Sequence, residues 1–187
     1  MSAERPILNS TVTAFLLAIL FSLPLSAETG GRLEALYAEL KQAEPVEAQR
    51  IAKEIQLEQS KSGSAAMDLL LKRGRDAMEA GDLEQAIEHL TALTDHAPDF
   101  ADGWHTRAIA YARVGLYGPA LADIERALAL NPHHFDAIAS LGALLEEVGH
   151  EKLAHDAYTQ VLAIHPYFED VTTALERLDA EFGGSEI

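Results

Sequence analysis

The chain contains no cysteine. Disulfides, thiolate zinc sites, a thiol nucleophile and the lipid attachment point of a bacterial lipoprotein are therefore all excluded. Bases are scarce: 14 Lys and Arg stand against 30 Asp and Glu, a net charge of −16 over 187 residues. Such a surface repels a phosphate backbone before any specific contact can form, so no nucleic acid partner is expected. The charge serves solubility or draws a basic partner. Aromatic residues make up only 6%, as a helical protein rich in Ala and Leu would give. The usual signatures of chemistry are missing too. There is no Gly-rich phosphate loop and no Gly-x-Ser-x-Gly turn, and Asp123 and Glu125, two apart, would not face each other on a helix. The eight histidines give no ligand spacing. His150-Glu151 with His155 is one residue too long for the zinc-protease pattern. His133 and His134 fall in a turn after Pro132, where polar residues are expected, and His89, His96 and His165 are scattered along different helices or their ends. The expectation is a protein that is not an enzyme, with no metal site and no cofactor.

What the chain does have is repetition. Pro98, Pro132 and Pro166 are 34 residues apart. Gly81, Gly115 and Gly149 keep the same interval, as do Ala86, Ala120 and Ala154, and Leu90, Ile124 and Tyr158. A fixed period of this length marks a repeat array. Within one period, Trp104, Ala108, Tyr111 and Ala112, then Leu116, Ala120, Ile124 and Ala127, fall at steps of three and four, the spacing of one helix face. Gly115 interrupts the pattern, so each unit reads as two short helices joined by a tight turn. Asn131-Pro132 ends the second, because proline cannot continue a helix and disfavours the helical region for the residue before it. One hairpin cannot bury its apolar face alone, and stacking neighbours complete the core.

The pattern resembles the tetratricopeptide repeat, Trp-x2-Leu-Gly-x2-Tyr, Ala-x3-Phe and Pro within 34 residues. The middle unit reads Trp104, Arg107, Ala108, Tyr111, Ala120, Ile124, Pro132, departing at Arg107, Ala108 and Ile124. The first reads Leu70, Arg73, Gly74, Ala77, Ala86, Leu90, Pro98, and the third Ile138, Leu141, Gly142, Leu145, Ala154, Tyr158, Pro166. The resemblance implies an all-α, right-handed helical-hairpin solenoid of three repeats (67–100, 101–134, 135–168) with flanking helices. Helices are expected at about 67–80, 83–96, 101–113, 117–129, 135–148 and 151–164. Residues 28–66 are expected to form an N-terminal helical pair, a polar joint at Gly30-Gly31 and then about Arg32–Gln42 and Pro45–Gln59. Counting back 34 makes this pair a possible degenerate repeat in front of the first unit. A closing helix over 167–182 carries acidic residues outward, and 183–187 form a tail.

Residues 1–27 stand apart. Val12–Leu25 is an almost unbroken apolar run followed by Ser26-Ala27, which predicts a secretory signal cut near Ala27 and a periplasmic or secreted protein. The run is short for a membrane span, and Glu4 offsets Arg5 in the leading segment. Removing 1–27 takes one acid and one base, leaving the charge at −16.

By the same resemblance, the first helix of each hairpin lines a concave groove that takes a protein segment. The implied groove residues are Leu71, Lys72, Arg75 and Met78, then Asp102, His105, Thr106 and Ile109, then Asp136 and Ser140, with Ala139, Ala143 and Glu146 beside them. The Lys/Asn clamp by which some members hold a terminal carboxylate does not carry over, since these positions hold no Asn. Arg75 and His105 are expected to project into the groove as isolated cationic or protonatable groups. The function expected is an exported, non-catalytic adaptor binding peptides or helices. A self-associating structural protein and a membrane-anchored holdase are the alternatives.

Overall fold

The computed structural model describes residues 25–184. Most of the expected signal segment and the end of the tail lie outside the described residues. Among the described residues there are nine helices and no strand. These are α1 (Leu25–Leu40), α2 (Pro45–Gln59), α3 (Ala65–Glu79), α4 (Leu83–His96), α5 (Ala101–Arg113), α6 (Tyr117–Leu130), α7 (Phe135–Glu147), α8 (Glu151–Ile164) and α9 (Glu169–Gly184). The pairs α3/α4, α5/α6 and α7/α8 are the three repeated hairpins, and they stack in order as an all-α solenoid closed by α9.

The 34-residue period is a period of turns. Gly115 sits at φ 76°, with Gly81 and Gly149 at 79° and 80°. At each turn a backbone N–H reaches back five residues: Asp82 to Ala77 at 2.9 Å, Leu116 to Tyr111 at 2.9 Å and His150 to Leu145 at 2.8 Å. This satisfies carbonyls left over at the helix end and requires the left-handed backbone that glycine adopts freely. Asp82 also caps α4 by accepting from the Gln85 N–H at 3.1 Å.

Each hairpin closes on one small residue facing one large one. Gly74 lies under Leu90 and Gly142 under the Tyr158 ring, and Ala108, in the equivalent position, is buried in one cluster with Ile124. Where the middle unit departs from the repeat pattern, a different contact replaces it. Arg107 makes two parallel bonds to Asp123, at 2.7 and 2.8 Å, and reaches Thr94 of the preceding unit at 2.7 Å. Its guanidinium lies over Trp104 and Tyr111. A planar fork thus ties two units together where a leucine would have packed within one.

The N-terminal segment departs from expectation twice. Helix α1 starts at Leu25 and runs through Gly30-Gly31, which form no joint. Glycine costs a helix interior about 1 kcal/mol each but does not by itself end one. The α1–α2 hairpin also does not stack on the first unit as a preceding repeat. Leu36, Leu40, Ile51 and Ile55 share a core with Phe135, Ile138, Tyr158, Val161 and Leu178, a core that includes no residue of α3 or α4. The outer side of α3 explains this, because Lys72, Arg73 and Asp76 are all exposed there. Tyr37 fixes the docking. Its phenol oxygen accepts from the Gln59 amide at 2.8 Å and from the Asn131 amide at 3.0 Å, and its ring meets Phe135 edge-on. Burial raises the Tyr37 phenol to about 12.

Two variants test this packing. An added Cβ on Gly142 would press into the Tyr158 ring, with two ring carbons at 2.7 and 2.9 Å, and that phenol is held in place by donating to Glu146 at 2.6 Å. Gly142→Ala should therefore lose about 1–3 kcal/mol in denaturant unfolding, more than the ~1 kcal/mol that alanine adds to a helix. A variant as stable as the parent would refute the close approach. Tyr37→Phe removes the acceptor of two amides and should cost about 1–3 kcal/mol. Amide exchange should quicken in α1 and α2 and stay unchanged in α3 and α4; uniform quickening would show that the hairpin does not open separately.

Candidate binding groove

Helices α3, α5 and α7 line the concave face, and α2 and α9 wall it in. The resulting cavity is about 810 Å³. Eight of the ten expected groove residues line it: Arg75, Met78, Asp102, His105, Thr106, Ile109, Asp136 and Ser140. Leu71 does not. It is 2% exposed and packs with Ala86 and Leu90 inside the first hairpin. Lys72 is exposed outside the cavity and pairs with Asp76 at 2.6 Å. Leu71 shares a helix face with Arg75 and Met78 but lies one and two turns nearer the helix start, where the hairpin core covers it. Residues that the sequence pattern did not single out complete the wall: Lys53, Gln56 and Leu57 of α2, and Val171 and Ala174 of α9. An adjoining hollow of about 430 Å³ shares Ile109, Ser140 and Ala143 and continues over Ala108, Ala112 and Leu144.

The floor of the cavity is polar and organised by Asp102. This carboxylate, 5% exposed, accepts from Arg75 at 2.6 Å through Oδ2. Its other oxygen faces His105 Nδ1 at 3.9 Å and His134 Nε2 at 3.8 Å, too far for hydrogen bonds. Burial pushes the Asp102 carboxyl up, but the two imidazoles and Arg75 outweigh it and hold the group well below the usual carboxylate range. His105 is 6% exposed and burial pushes it down. Its Nε2 is hydrogen-bonded with the Ser140 hydroxyl at 3.0 Å.

Two expectations are corrected here. Arg75 and His105 are not isolated cations aimed at a ligand: the first is spent on Asp102 and the second is buried against it. His134 is not a polar turn residue facing water. It is 1% exposed and its ring meets that of His105 edge-on at 4.7 Å. The turn after Pro132 folds under the groove because Phe135 beside it is drawn into the core.

Ser140, His105 and Asp102 follow one another in the order of a nucleophilic triad, but the arrangement lacks what that chemistry needs. The Asp102–His105 separation of 3.9 Å does not hold the imidazole in one tautomer. Ser140 stands in the interior of α7, where backbone N–H groups are taken by the helix and cannot form an oxyanion hole. The site has apolar walls and a charged, largely buried floor. No helix among the described residues is long and apolar enough to cross a membrane.

No protein-family model matches the chain. A TPR repeat-containing protein of Rhizobium etli is 35% identical over 136 residues, 72% of this chain and 67% of that protein. Of the next curated relatives the chain spans between 6 and 37%. Among solved structures, the first TPR of Spaghetti (RPAP3) bound to an HSP90 peptide is 25% identical with a TM-score of 0.60, covering 63% of this chain and 93% of that one. The Sgt2 TPR domain from Aspergillus fumigatus, 23% identical, has a TM-score of 0.62 over 66% of this chain and 83% of its own. Repeated turns, small-on-large helix crossings and a relative matched over two thirds of its length lead to one conclusion: the chain belongs to the tetratricopeptide repeat family.

Proposed function

We propose that this protein is an exported adaptor that holds a segment of another protein in its groove and performs no catalysis. The observation that carries this reading is the walled cavity of about 810 Å³ continuing into an apolar hollow over α5 and α7. A continuous channel lined by Met78, Ile109, Ala139 and Ala143, with hydrogen-bonding groups at its base, suits an extended or helical peptide. The RPAP3 domain was solved with an HSP90 peptide and a domain of yeast Sti1 with a pHsp70 partner, which supports protein segments as the class of ligand. The acidic surface, −16 overall, favours segments with basic flanks.

Ala143 tests the groove because it is exposed and lines both hollows. Ala143→Glu should leave stability within about 0.5 kcal/mol. It should weaken binding of peptides selected from a random library on the order of tenfold or more, read by fluorescence polarisation. Equal affinities in the two proteins would move the working surface elsewhere. Export is tested separately by mass spectrometry of the native protein. An N-terminus near Glu28 in the soluble envelope fraction is expected, and a chain retaining residues 1–27 there would end that part of the reading.

A further inference from the structure

We infer that Asp102, His105 and His134 form a binding site for one borderline divalent cation, Zn²⁺ above all, at the floor of the groove. Each offers one donor atom, Asp102 Oδ1, His105 Nδ1 and His134 Nε2, and the three atoms lie within 4.8 Å of one another. Two imidazoles and a carboxylate are the donor set that zinc takes in open sites, where protein supplies three ligands and leaves a fourth position free. All three residues line the cavity, so an ion there has a path in and its remaining position faces the groove.

A second observation points the same way. His134 Nε2 is fully buried and has no hydrogen-bond partner. A buried polar atom without a partner is costly, and this one faces Asp102 Oδ1 at 3.8 Å. Packing around the triad leaves Asp102 Oδ1 and His105 Nδ1 open to an ion. Arg75 occupies Oδ2 of Asp102 and not Oδ1. When His105 Nε2–H donates to Ser140, the lone pair of Nδ1 is left toward the carboxylate, and the hydroxyl fixes the ring as an outer partner of a metal-bound histidine does. Asp136, on the same cavity wall, adds negative charge against the cost of bringing a dication beside Arg75.

Loading asks for two adjustments. Zinc at about 2.0–2.2 Å from each donor brings ligand atoms to about 3.4 Å apart. The two edges that meet at Asp102, now 3.8 and 3.9 Å, close by about half an ångström, and the edge between the imidazoles by more. His134 Nδ1 accepts from the Ala137 N–H at 3.4 Å. Coordination moves its ring proton from Nε2 to Nδ1 and releases that long contact, leaving the proton count unchanged. One long neutral hydrogen bond is small beside the free energy of zinc ligation.

The test uses the full chain stripped with a chelator. Co²⁺ titration should give visible absorption of a low-symmetry, four- or five-coordinate ion saturating at one per chain. Competition of Zn²⁺ against a chromophoric chelator should give the same stoichiometry. His105→Gln and His134→Asn, the latter keeping a capping side chain, should each weaken Zn²⁺ at least tenfold, while the exposed His133→Gln should not. Absence of a saturable cobalt spectrum in the parent overturns the site whatever the variants do. So does a parent affinity matched by a folded His105→Gln or His134→Asn variant.

Discussion

The shape of the molecule depends on how closely the two helices of each hairpin approach. At Gly74, Ala108 and Gly142 the first helix presents almost no side chain, and Leu90, Ile124 and Tyr158 of the second fill the space above it. A tight crossing in every unit fixes the angle at which the next unit stacks, and repeated stacking at one angle curves the array. The groove is the inside of that curve. Its width is thus decided by packing inside the hairpins, and some of those same residues reach its wall: Tyr158 lines the cavity, and Ala108 and Ile124 line the adjoining hollow.

The repeated hairpins were largely legible in the sequence because their information is local. A turn that needs left-handed backbone, a proline that stops a helix and apolar residues at steps of three and four all act within a few residues. The six helices from Ala65 to Ile164 accordingly fall within about two residues of their expected bounds. The N-terminal hairpin was legible as helices but not as to where it docks. Its apolar stripe of Leu36, Leu40, Ile51 and Ile55 says only that it packs. The choice of the third unit over the first rests on Asn131 and Phe135 meeting Tyr37, nearly a hundred residues away.

The groove was half legible for a related reason. The family resemblance implied which side chains turn inward, and eight of the ten expected residues line the cavity. It could not tell which of them would be consumed by one another. Arg75, His105 and His134 read as separate groups in three parts of the chain, and only stacking brings them around Asp102. A histidine next to a proline turn gives no sign that the following phenylalanine will pull it beneath the surface. Asp102 gave little signal of its own, because Asp68 and Asp136 stand at the equivalent positions of the neighbouring units.

The docking of α1–α2 on the far unit has a consequence for how the molecule holds together. In an open array each unit touches only its neighbours, and stability builds up piece by piece along one dimension. Here the first hairpin among the described residues completes the core beneath the last unit, sharing it with Val161 and Leu178. Among the described residues, one core joins the first helix to the last. The loss of α9 would strip the cover from a hairpin more than a hundred residues upstream, and contacts of such long sequence separation form slowly in folding. Because α2 and α9 also wall the groove, widening it would loosen the core that these two ends share.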